Sequence, residues 1–299
     1  MHALTHFPEH ESAPRGKPIK ELIGASFTLT NPRNRLILSP TRNVNYGFAV
    51  GELCWYIRGD DDLATMLYYN KRMAAFSDNG ISINSAYGAR IFNKIDWQQK
   101  SQFDNVVAEL TADPDSRRAV IHINDEQDLM RATKNGSKDV PCTMSLQLFI
   151  RDKLLHMHVL MRSNDVVWGL PYDVFSFTCL QELFLYALQD AGAPVNDLGS
   201  YHHTIGSLHV YDTHYDMANL IAAEITDDPV PMASFDQCAM QTLAEEDELA
   251  IREGRWTDVV GTPAENHYND SVAWMFKQLV DHKNKRLNEE KQKKESEQT

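Results

Sequence analysis

The sequence predicts an α+β fold with a central mixed β-sheet and flanking helices. Three observations support this: the size and ordinary composition of the chain, several stretches rich in β-branched and aromatic residues, and stretches whose apolar residues recur at helical spacing. The chain has 299 residues, of which 42% are hydrophobic and 24% are charged, the balance of a globular protein. Strand-like and helix-like segments mixed along one chain favour helices packed on a sheet.

Strand-like and helix-like regions follow one another along the chain. The strand-like regions are 19–38 with a turn at Asn31-Pro32, 119–124, 143–162 with a turn at Arg151-Asp152, and 204–211. The helix-like regions are 45–58, which stops before Gly59, then 174–190, then the segment from 211 to about 224. Because a short polar turn separates 143–150 from 153–162, we expect these two segments to pair as neighbouring strands.

The two ends of the chain differ in character from the middle. We expect residues 1–14 to form a flexible arm, residues 15–282 to form one globular domain, and residues 283–299 to form a charged tail. The tail reads KNKRLNEEKQKKESEQT and has almost no large apolar residue, so it cannot join a core. It is therefore expected to be disordered, or a solvated and frayed helix.

Charge and hydropathy exclude several classes of function. The formal net charge is -13, which disfavours non-specific nucleic-acid binding, although a local group of arginines could still hold a small anion. Polar residues interrupt the longest apolar runs well short of the ~20 residues that cross a bilayer, and the first residues lack the apolar core of a signal peptide. We expect neither a nucleic acid nor a membrane as partner.

Cysteine and histidine positions indicate neither disulfides nor a metal site. The four cysteines lie far apart without a CxxC pair, which favours a reducing, cytoplasmic setting; they are Cys54, Cys142, Cys179 and Cys238. Four histidines cluster in sequence, but no cysteine or carboxylate completes a zinc spacing beside them; they are His202, His203, His209 and His214. No metal is expected.

Cys142 is the candidate nucleophile. It follows Pro141, and Arg162 ends the next strand-like segment. A lone cysteine is more often an inert small hydrophobe, and its thiol becomes reactive only where a neighbour lowers its pKa. Two strands joined by a tight turn could bring Arg162 beside Cys142, and a guanidinium there would favour the thiolate.

The segment 140–173 resembles the signature of the thymidylate synthase family. It contains PC-x4-Q, followed by RS-x-D-x3-GLP-[FY], and the family's nucleophile is the cysteine of the first motif. Further matches occur in the family's order over roughly residues 15–225, namely ELCWYIRG, SRR, AYG and GSLHVY. The resemblance implies the family's fold for residues 15–282, with homodimers formed through the sheets and active sites shared between the two subunits.

The resemblance also implies roles for individual residues. The catalytic set would be Cys142, Glu52, Tyr87 and Asp173, with Glu52 as an acid or base. The set that binds a pyrimidine nucleoside monophosphate would be Arg15, Arg117, Arg118, Arg162, Ser163, Gln147, His209 and Tyr211. Of these, Arg117 and Arg118 would reach the phosphate of the neighbouring subunit, and His209 and Tyr211 would bind the sugar. The co-substrate 5,10-methylenetetrahydrofolate would contact Asp165 and Gly169. Taken singly, these arginines could be surface charges, and His209 could be a core histidine.

One departure from the family pattern concerns the pyrimidine. The family's uracil-reading asparagine should follow GLP-[FY], but Asp173 stands there. An amide matches the 4-oxygen and N3–H of uracil, whereas a carboxyl group matches the 4-amino group and bare N3 of cytosine. A site built for one pattern rejects the other by as much as ~10⁴-fold. The substitution resembles deoxycytidylate hydroxymethylases, although drift in an ordinary synthase would give the same residue.

Two more departures favour water as the final reactant. The segment 71–85 lacks the tryptophan that in the family shields the reacting methylene, and the chain end lacks the family's short apolar terminus. The sequence therefore predicts a folate-dependent dCMP hydroxymethyltransferase. A dUMP-using synthase, a dUMP or CMP hydroxymethylase, and a non-catalytic nucleotide- or RNA-binding relative remain open alternatives.

Overall fold

The computed structural model describes residues 1–93, 95–96, 98–225, 230–255 and 270–297. The chain divides into two compact units, each made from two parts of the sequence. The first comprises 1–44 and 90–232, and the second comprises 45–89 and 233–299. The boundary of one domain at 15–282 stays a prediction. No helix within the described ranges is long and apolar enough to cross a membrane.

The first unit is built on one six-stranded sheet. Its strands are β1 His10–Ser12, β2 Ile19–Leu29, β3 Val120–His122, β4 Thr143–Arg151, β5 Leu154–Asp165 and β6 Asp197–Tyr211. Their spatial order is β1-β2-β6-β5-β4-β3, and every pair is antiparallel except β5–β6, which is parallel. The predicted α+β class with a central mixed sheet is thus confirmed.

Helices flank this sheet. In the first unit they are α1 His2–His6, α4 Gln102–Ala112, α5 Glu126–Asn135, α6 Gly169–Asp190 and α7 Tyr215–Ala223. The long helix α6 connects β5 to β6, as a parallel pair requires, and supplies most of the core on one sheet face. Alternate β5 residues face that core and are nearly inaccessible; they are Leu155, Met157, Val159 and Met161.

The hairpin of β4 and β5 forms as the sequence predicts. Asp152 and Lys153 connect the strands with φ values of 52° and 60°, the left-handed conformation of a tight two-residue turn. Cα pairing runs from Arg151 opposite Leu154 to Thr143 opposite Met161. This register brings the start of β4 next to the end of β5.

The stretch 30–38, predicted as part of a strand region, is not a strand. Only Ile19–Leu29 pairs in the sheet, and the segment that follows is anchored to α6 by a buried ion pair. Arg35 Nη2 donates to Glu182 Oε2 at 2.5 Å, and both side chains are almost fully buried. A buried carboxylate needs such a partner, so the arginine holds its segment away from the sheet.

The predicted flexible arm over residues 1–14 is ordered instead. Leu4 of α1 is 1% exposed and packs in a cluster with Val167, Val210 and Ala218. Residues His10–Ser12 add strand β1 to the edge of β2. The sequence pattern missed this segment because one buried leucine and one short edge strand give little periodic signal.

The second unit is helical. Its helices are α2 Tyr46–Ile57, α3 Leu63–Tyr69, α8 Gln237–Thr242, α9 Glu248–Glu253 and α10 Asp270–Glu297. Asn45 caps α2 by accepting from the Phe48 N–H, and Gly59 follows the helix end with φ 68°, as the sequence predicts. Glu248 is fully buried here and accepts from Arg58 at 2.9 Å and from the Tyr69 hydroxyl at 2.6 Å.

The tail over residues 283–299, which we expected to be disordered or a solvated and frayed helix, is helical as far as Glu297. It continues α10, whose first part buries Val272, Met275 and Leu279. Beyond residue 282 the helix is largely exposed, and its many Lys, Glu and Gln residues are good helix formers. Lys283 and Arg286 anchor this part: Lys283 donates to the Arg252 carbonyl at 3.0 Å, and the Arg286 guanidinium lies 4.1 Å from the Tyr68 ring centre.

Candidate active site

The β4–β5 hairpin places Arg162 beside Cys142. The Arg162 backbone N–H donates to the Cys142 carbonyl at 2.9 Å, and its Nη2 lies 3.7 Å from the Cys142 Sγ. The same guanidinium donates from Nε to the Pro141 carbonyl at 2.9 Å and from Nη2 to the Val140 carbonyl at 3.1 Å. Three backbone contacts therefore fix the cation at the thiol, which confirms the predicted neighbourhood.

Electrostatics around Cys142 act in both directions. Burial raises the pKa of the Cys142 thiol above its ordinary value, and the Arg162 guanidinium opposes that rise. A negative charge on Asp173 raises this pKa further, while Arg15 lowers it. Ionisation of the thiol is thus linked to the protonation state of Asp173: the thiolate forms more readily when Asp173 is neutral.

Asp173 lies in the second turn of α6. Burial raises the pKa of its carboxyl group to about 7, and a hydrogen bond with Asn164 opposes the rise. The lack of a side chain at Gly169 makes room for the Asn164 and Asp173 side chains. A Cβ at this position would lie 2.9 Å from Asn164 Oδ1 and 3.3 Å from Asp173 Oδ2. A neutral or ionised carboxyl group is therefore accessible near neutral pH, as a general acid or base requires.

Asp165 shapes the connection between β5 and α6. Its Oδ1 accepts from the backbone N–H groups of Val167 at 2.7 Å and Trp168 at 2.9 Å. This turn sets where Gly169 and Asp173 begin the helix. The structure gives Asp165 and Gly169 these local roles, and their contact with a folate stays a prediction.

The two predicted sugar-binding residues and one predicted phosphate-binding residue, Arg15, come together at the end of β6. Asp165 of β5 pairs with His209 of β6, and the His209 ring lies 5.1 Å from the Tyr211 ring. Burial raises the pKa of Tyr211, and Arg15 opposes this with a hydrogen bond to the phenol. Arg15 has φ 54°, an uncommon conformation for a residue with a side chain, and such conformations cluster at functional sites.

Ser163 and Glu21 also lie at this end of the sheet. Ser163 of β5 is opposite Ser207 of β6, and the Ser207 hydroxyl donates to Glu21 Oε2 at 2.5 Å. That hydrogen bond lowers the pKa of Glu21, as does the nearby His209. The sequence analysis missed Glu21, which pairs with His209 in the register of β2 and β6. Only knowledge of that register could have identified it.

Gln147, Arg117 and Arg118 form a separate group at the start of β3. Gln147 donates from Nε2 to the Arg117 carbonyl at 2.9 Å. Arg118 is 76% exposed at its side chain and forms an ion pair with Glu109 at 2.8 Å. Within the described chain these three make no recorded hydrogen bond or ion pair with Cys142, so the structure does not join them to the thiol.

Glu52 and Tyr87 belong to the second unit. Glu52 lies half-buried on α2, and the half-buried Tyr87 ring is 5.6 Å from the ring of Tyr56. The next residue, Gly88, cannot carry a side chain, because a Cβ there would lie 2.3 Å from the Tyr56 carbonyl oxygen. Their participation in a site with Cys142 stays a prediction.

The sequence analysis named His203 only as one of four clustered histidines and missed the group of buried polar side chains to which it belongs. Asn164, Tyr201 and His203 are all inaccessible and are joined to one another by hydrogen bonds. Asn164 occupies the variable position of RS-x-D, where no motif draws attention to it. In the part of the chain that the structure covers, no three His, Cys, Asp or Glu side chains group as a metal site would require.

The family profile of thymidylate synthase matches residues 4–250. The chain belongs to the thymidylate synthase family. A deoxyuridylate hydroxymethyltransferase of Bacillus phage SP01 is 35% identical over 224 residues, which are 72% of this chain and 55% of that protein. A deoxycytidylate 5-hydroxymethyltransferase of Enterobacteria phage T6 is 36% identical over 135 residues, 44% of this chain and 53% of that protein. The chain therefore spans little more than half of the length of these viral relatives.

Solved and bacterial members of the thymidylate synthase family agree with the fold. The thermostable thymidylate synthase A of Bacillus subtilis superposes with a TM-score of 0.57 at 26% identity, covering 72% of this chain and 75% of that one. A thymidylate synthase of Bacillus licheniformis is 26% identical over 215 residues, 69% of this chain and 71% of that protein. The resemblance read from the motifs is confirmed at the level of family and fold.

The raised pKa of Asp173 predicts a pH-dependent cost to the stability of this thymidylate synthase family member. Below about pH 4 the carboxyl group is protonated in the folded and the unfolded chain, so it costs nothing. Between about pH 4 and 7 the unfolded chain ionises first, and stability falls as the pH rises. Asp173→Asn should therefore match wild type in acid and exceed it above pH 7 by ~2–4 kcal/mol in free energy of unfolding.

Denaturant unfolding across pH measures this difference. Asp190→Asn is the matched control, because it is the same substitution at the exposed last residue of the same helix. Its difference from wild type should stay constant between pH 4 and 7. An Asp173→Asn difference that is equally constant would contradict a protonated, buried carboxyl group.

Proposed function

We propose that this protein is a folate-dependent hydroxymethyltransferase that acts on dCMP. The reaction would join a one-carbon unit and water to carbon 5 of the pyrimidine, giving 5-hydroxymethyl-dCMP and tetrahydrofolate. The observation that carries the choice of nucleotide is Asp173, a buried carboxyl group with a pKa of about 7. The choice of one-carbon chemistry is supported by membership of the family and by the viral relatives named as hydroxymethyltransferases.

Asp173 suits cytosine because it can hold either protonation state near neutral pH. As an acid it donates to the bare ring nitrogen N3, and its other oxygen accepts from the 4-amino group. When a nucleophile adds to carbon 6, negative charge moves onto N3, and a proton from Asp173 would neutralise it. Uracil offers a 4-oxygen and an N3–H instead, which an asparagine matches; the ionised form of Asp173 does not match them, because a carboxylate has no donor for the 4-oxygen.

Cys142 would begin the reaction by adding to carbon 6. Carbon 5 of a pyrimidine is a poor nucleophile until such an addition pushes electrons into the ring. The bond formed is S–C6, and the electron pair displaced from the ring double bond makes carbon 5 nucleophilic. The Arg162 guanidinium, 3.7 Å from the sulfur, supports the thiolate that makes this attack.

The nucleotide would be held by a cationic and hydroxyl-rich rim. We assign the phosphate to Arg15 and Arg162, whose planar guanidinium groups bind phosphate at two points. Ser163 and Gln147 are proposed as further contacts. His209 and Tyr211 would hold the sugar hydroxyl; their rings pack edge to face at the end of β6.

The residues near the β5–α6 turn fit a folate. The Arg42 guanidinium lies 5.5 Å from the Trp168 ring and 5.4 Å from the Tyr172 ring. Its buried Nη2 has no hydrogen-bond partner among the described residues, so it can take a carboxylate of the folate's glutamate tail. Asp165 and Gly169 would flank the ring system. When bound, 5,10-methylenetetrahydrofolate supplies the one-carbon unit that carbon 5 accepts.

Glu52 and water would distinguish hydroxymethylation from methylation. After carbon 5 has accepted the one-carbon unit and lost its proton, departure of tetrahydrofolate would leave an electrophilic exocyclic methylene on the pyrimidine. A synthase quenches this methylene with hydride, whereas a hydroxymethyltransferase quenches it with hydroxide from water. That addition would restore the C5–C6 double bond and expel the Cys142 thiolate from carbon 6. We assign activation of that water to Glu52 as general base, and we propose that Tyr87 orients the reactants.

We further propose a homodimer through the sheet, with each active site shared between two subunits. The sheet face opposite α6 carries half-buried or exposed side chains on β4 and β5, such as Phe149, Leu154 and Leu160, that a second copy could cover. Arg117 and Arg118 form no recorded contact with Cys142 within the described residues of their own chain, in keeping with a role at the partner's phosphate.

A second candidate is the same reaction on dUMP. It is favoured by the 35% identity to the phage SP01 deoxyuridylate hydroxymethyltransferase. Asp173 disfavours it, because a carboxyl group that remains partly ionised at neutral pH would face the 4-oxygen of uracil. The nucleotide assays below separate the two candidates.

The product itself tests the proposed chemistry. Incubation with dCMP and 5,10-methylenetetrahydrofolate should give a nucleotide whose mass has increased by one hydroxymethyl group in place of hydrogen. Cys142→Ala should keep the fold and lose turnover by at least ~10³-fold, because the addition to carbon 6 is the step that activates the ring. Mass spectrometry of the nucleotide measures both. A methylated product, or turnover in the variant above a tenth of wild type, would contradict the mechanism.

Asp173→Asn should change the choice of base. The substitution nearly conserves size but replaces a group that can deliver a proton with one that cannot. Activity on dCMP should fall by ~2–4 kcal/mol of transition-state stabilisation, and activity on dUMP should rise. Release of tritium from carbon 5 gives kcat/KM for both nucleotides in both proteins. An unchanged preference for dCMP would place base selection elsewhere.

Mixing two inactive chains tests the shared site. Arg117→Ala and Cys142→Ala chains should complement each other, since a mixed dimer has one site with an intact Cys142 and an intact partner Arg117. Recovery should reach about a quarter of wild-type activity after random subunit exchange. The control mixes Arg162→Ala with Cys142→Ala, whose residues touch in one chain, and should not recover. Absence of recovery in the first mixture, with exchange demonstrated, contradicts shared sites.

A further inference from the structure

Three buried polar side chains run from the interior of the sheet to Asp173. Tyr201 and His203 lie two residues apart on β6, so they share a face of the strand, and Asn164 lies near the end of the neighbouring β5. Tyr201 and His203 are 0% exposed and Asn164 is 3% exposed. The Tyr201 hydroxyl is 2.6 Å from His203 Nδ1, and His203 Nε2 is 3.3 Å from Asn164 Nδ2.

Asn164 connects this chain to the carboxyl group of Asp173. Its amide hydrogen-bonds Asp173, and the two groups share the space beside Gly169 that a Cβ would fill. Its Oδ1 is buried and has no hydrogen-bond partner among the described residues. The missing donor for this oxygen is the O–H of a protonated Asp173, because a buried acceptor beside an acid takes its proton in a hydrogen bond.

His203 is one of two recorded partners that orient the Asn164 amide; the other is Met161, whose Sδ lies 2.9 Å from Asn164 Nδ2. Burial lowers the pKa of His203 to about 3, so the ring is neutral and has one donor and one acceptor nitrogen. If Nδ1 carries the proton, it donates to the Tyr201 oxygen, and bare Nε2 accepts from Asn164 Nδ2. If Nε2 carries the proton, Nδ1 accepts from the Tyr201 hydroxyl, and Nε2 donates to Asn164 Oδ1.

We propose that Tyr201, His203 and Asn164 form a positioning relay. When Asp173 is protonated, the relay presents the Asn164 carbonyl to it; when Asp173 is ionised, the relay presents the Asn164 N–H. The two arrangements differ by a half-turn of the Asn164 amide and by the tautomer of His203. This inference rests on the proposed function only for its catalytic use, since the relay itself concerns residues of the free protein.

The protons balance between the two arrangements. Each has one proton on His203 and one on Tyr201, so the net difference is the single proton of Asp173. Because His203 is 0% exposed, the change of tautomer requires a transient local opening that admits water, which accepts the proton from one ring nitrogen and returns a proton to the other. Tyr201 stays a phenol throughout, because burial raises its pKa well above the ordinary value and a charge on Asp173 raises it further.

The relay explains how a buried carboxyl group can hold both protonation states. Without it, burial alone would keep Asp173 protonated, and the group could donate a proton to the pyrimidine but not take one back readily. With it, each state has a hydrogen bond of matching polarity. Other titratable or charged groups also act on the region: the pKa of Cys142 responds to Asp173, Arg162 and Arg15, and His158 lowers the pKa of His203.

Nitrogen NMR of the wild-type protein, labelled with ¹⁵N at histidine, tests the relay without substrate. The His203 resonances should report a neutral ring at every pH, with Nδ1 protonated below the Asp173 midpoint and Nε2 protonated above it. His203→Gln identifies these resonances. In Asp173→Asn the tautomer should be independent of pH. A His203 tautomer that stays fixed in wild type as Asp173 titrates would overturn the proposal.

Infrared titration of the Asp173 carboxyl group, isolated by subtracting the Asp173→Asn spectrum, supplies a second test. Tyr201→Phe leaves an Nδ1–H without an acceptor, and a buried N–H without a partner costs more than a bare nitrogen. Nε2–H should then dominate, the Asn164 N–H should face Asp173, and the carboxyl midpoint should fall by about one pH unit. Asn164→Leu removes the donor to the carboxylate, and the midpoint should rise.

The relay predicts that the carboxyl midpoint shifts in opposite directions in Tyr201→Phe and Asn164→Leu, which distinguishes it from a general loosening of the core. Entry of water into a damaged core would lower the midpoint in both variants. Tyr69→Phe is the matched control, because it deletes a buried hydroxyl with the same 2.6 Å contact, to Glu248 in the second unit, and should leave the midpoint unchanged. Equal shifts in the two relay variants, or an equal shift in the control, would overturn the relay. Failure of dCMP turnover alongside opposite shifts would reject the proposed function and leave the relay standing.

Discussion

The parallel pairing of β5 with β6 is the constraint on which the first unit depends. Parallel strands need a long connection, and here that connection is α6, which covers the sheet and begins with the turn formed by Asp165. The pairing runs from Leu154 opposite Asp197 to Asp165 opposite His209. It thus brings the RS-x-D motif of β5 to the same end of the sheet as the GSLHVY motif of β6. It also positions Asp173, because it fixes where α6 starts.

Burial is the second recurring theme, and it has different consequences at different places. Arg35 and Glu182 are buried as an ion pair, so the charge of each is satisfied and the pair anchors a loop to α6. Burial of the Asp173 carboxyl group is not offset by any recorded contact with a cation among the described residues, so its pKa rises to about 7. The first arrangement gives a fixed structure, whereas the second leaves a proton that can move. Acid–base catalysis requires a group that can gain and lose a proton, and placing such a group in a desolvated site lowers the stability of the fold.

Local features of the sequence predicted much of this arrangement. The turn at Asp152 determines the β4–β5 hairpin, and that hairpin places Arg162 beside Cys142, so the contact follows from a few neighbouring residues. Asp173 was recognisable because it replaces an amide in a motif. The same logic failed for α1, since the burial of Leu4 depends on residues about 160 to 210 positions away in sequence.

The relay behind Asp173 could not be predicted, for the same physical reason. Asn164 and His203 meet only because two strands pair in parallel with one register, and the residues are 39 apart in sequence. A shift of that register by one residue would turn His203 to the other face of the sheet. Polar residues in such positions look like ordinary strand residues until the register is known, and Tyr201 gave no signal of its own.

The central claim is that Asp173 reads cytosine by sharing a proton with ring nitrogen N3. The most direct measurement is the ¹⁵N resonance of N3-labelled dCMP bound to Cys142→Ala, which holds the nucleotide without turnover. The account predicts that N3 moves towards the position of a protonated or strongly hydrogen-bonded nitrogen on binding, and that the shift is lost when Asp173→Asn is added. An N3 resonance that is the same in both complexes would contradict it.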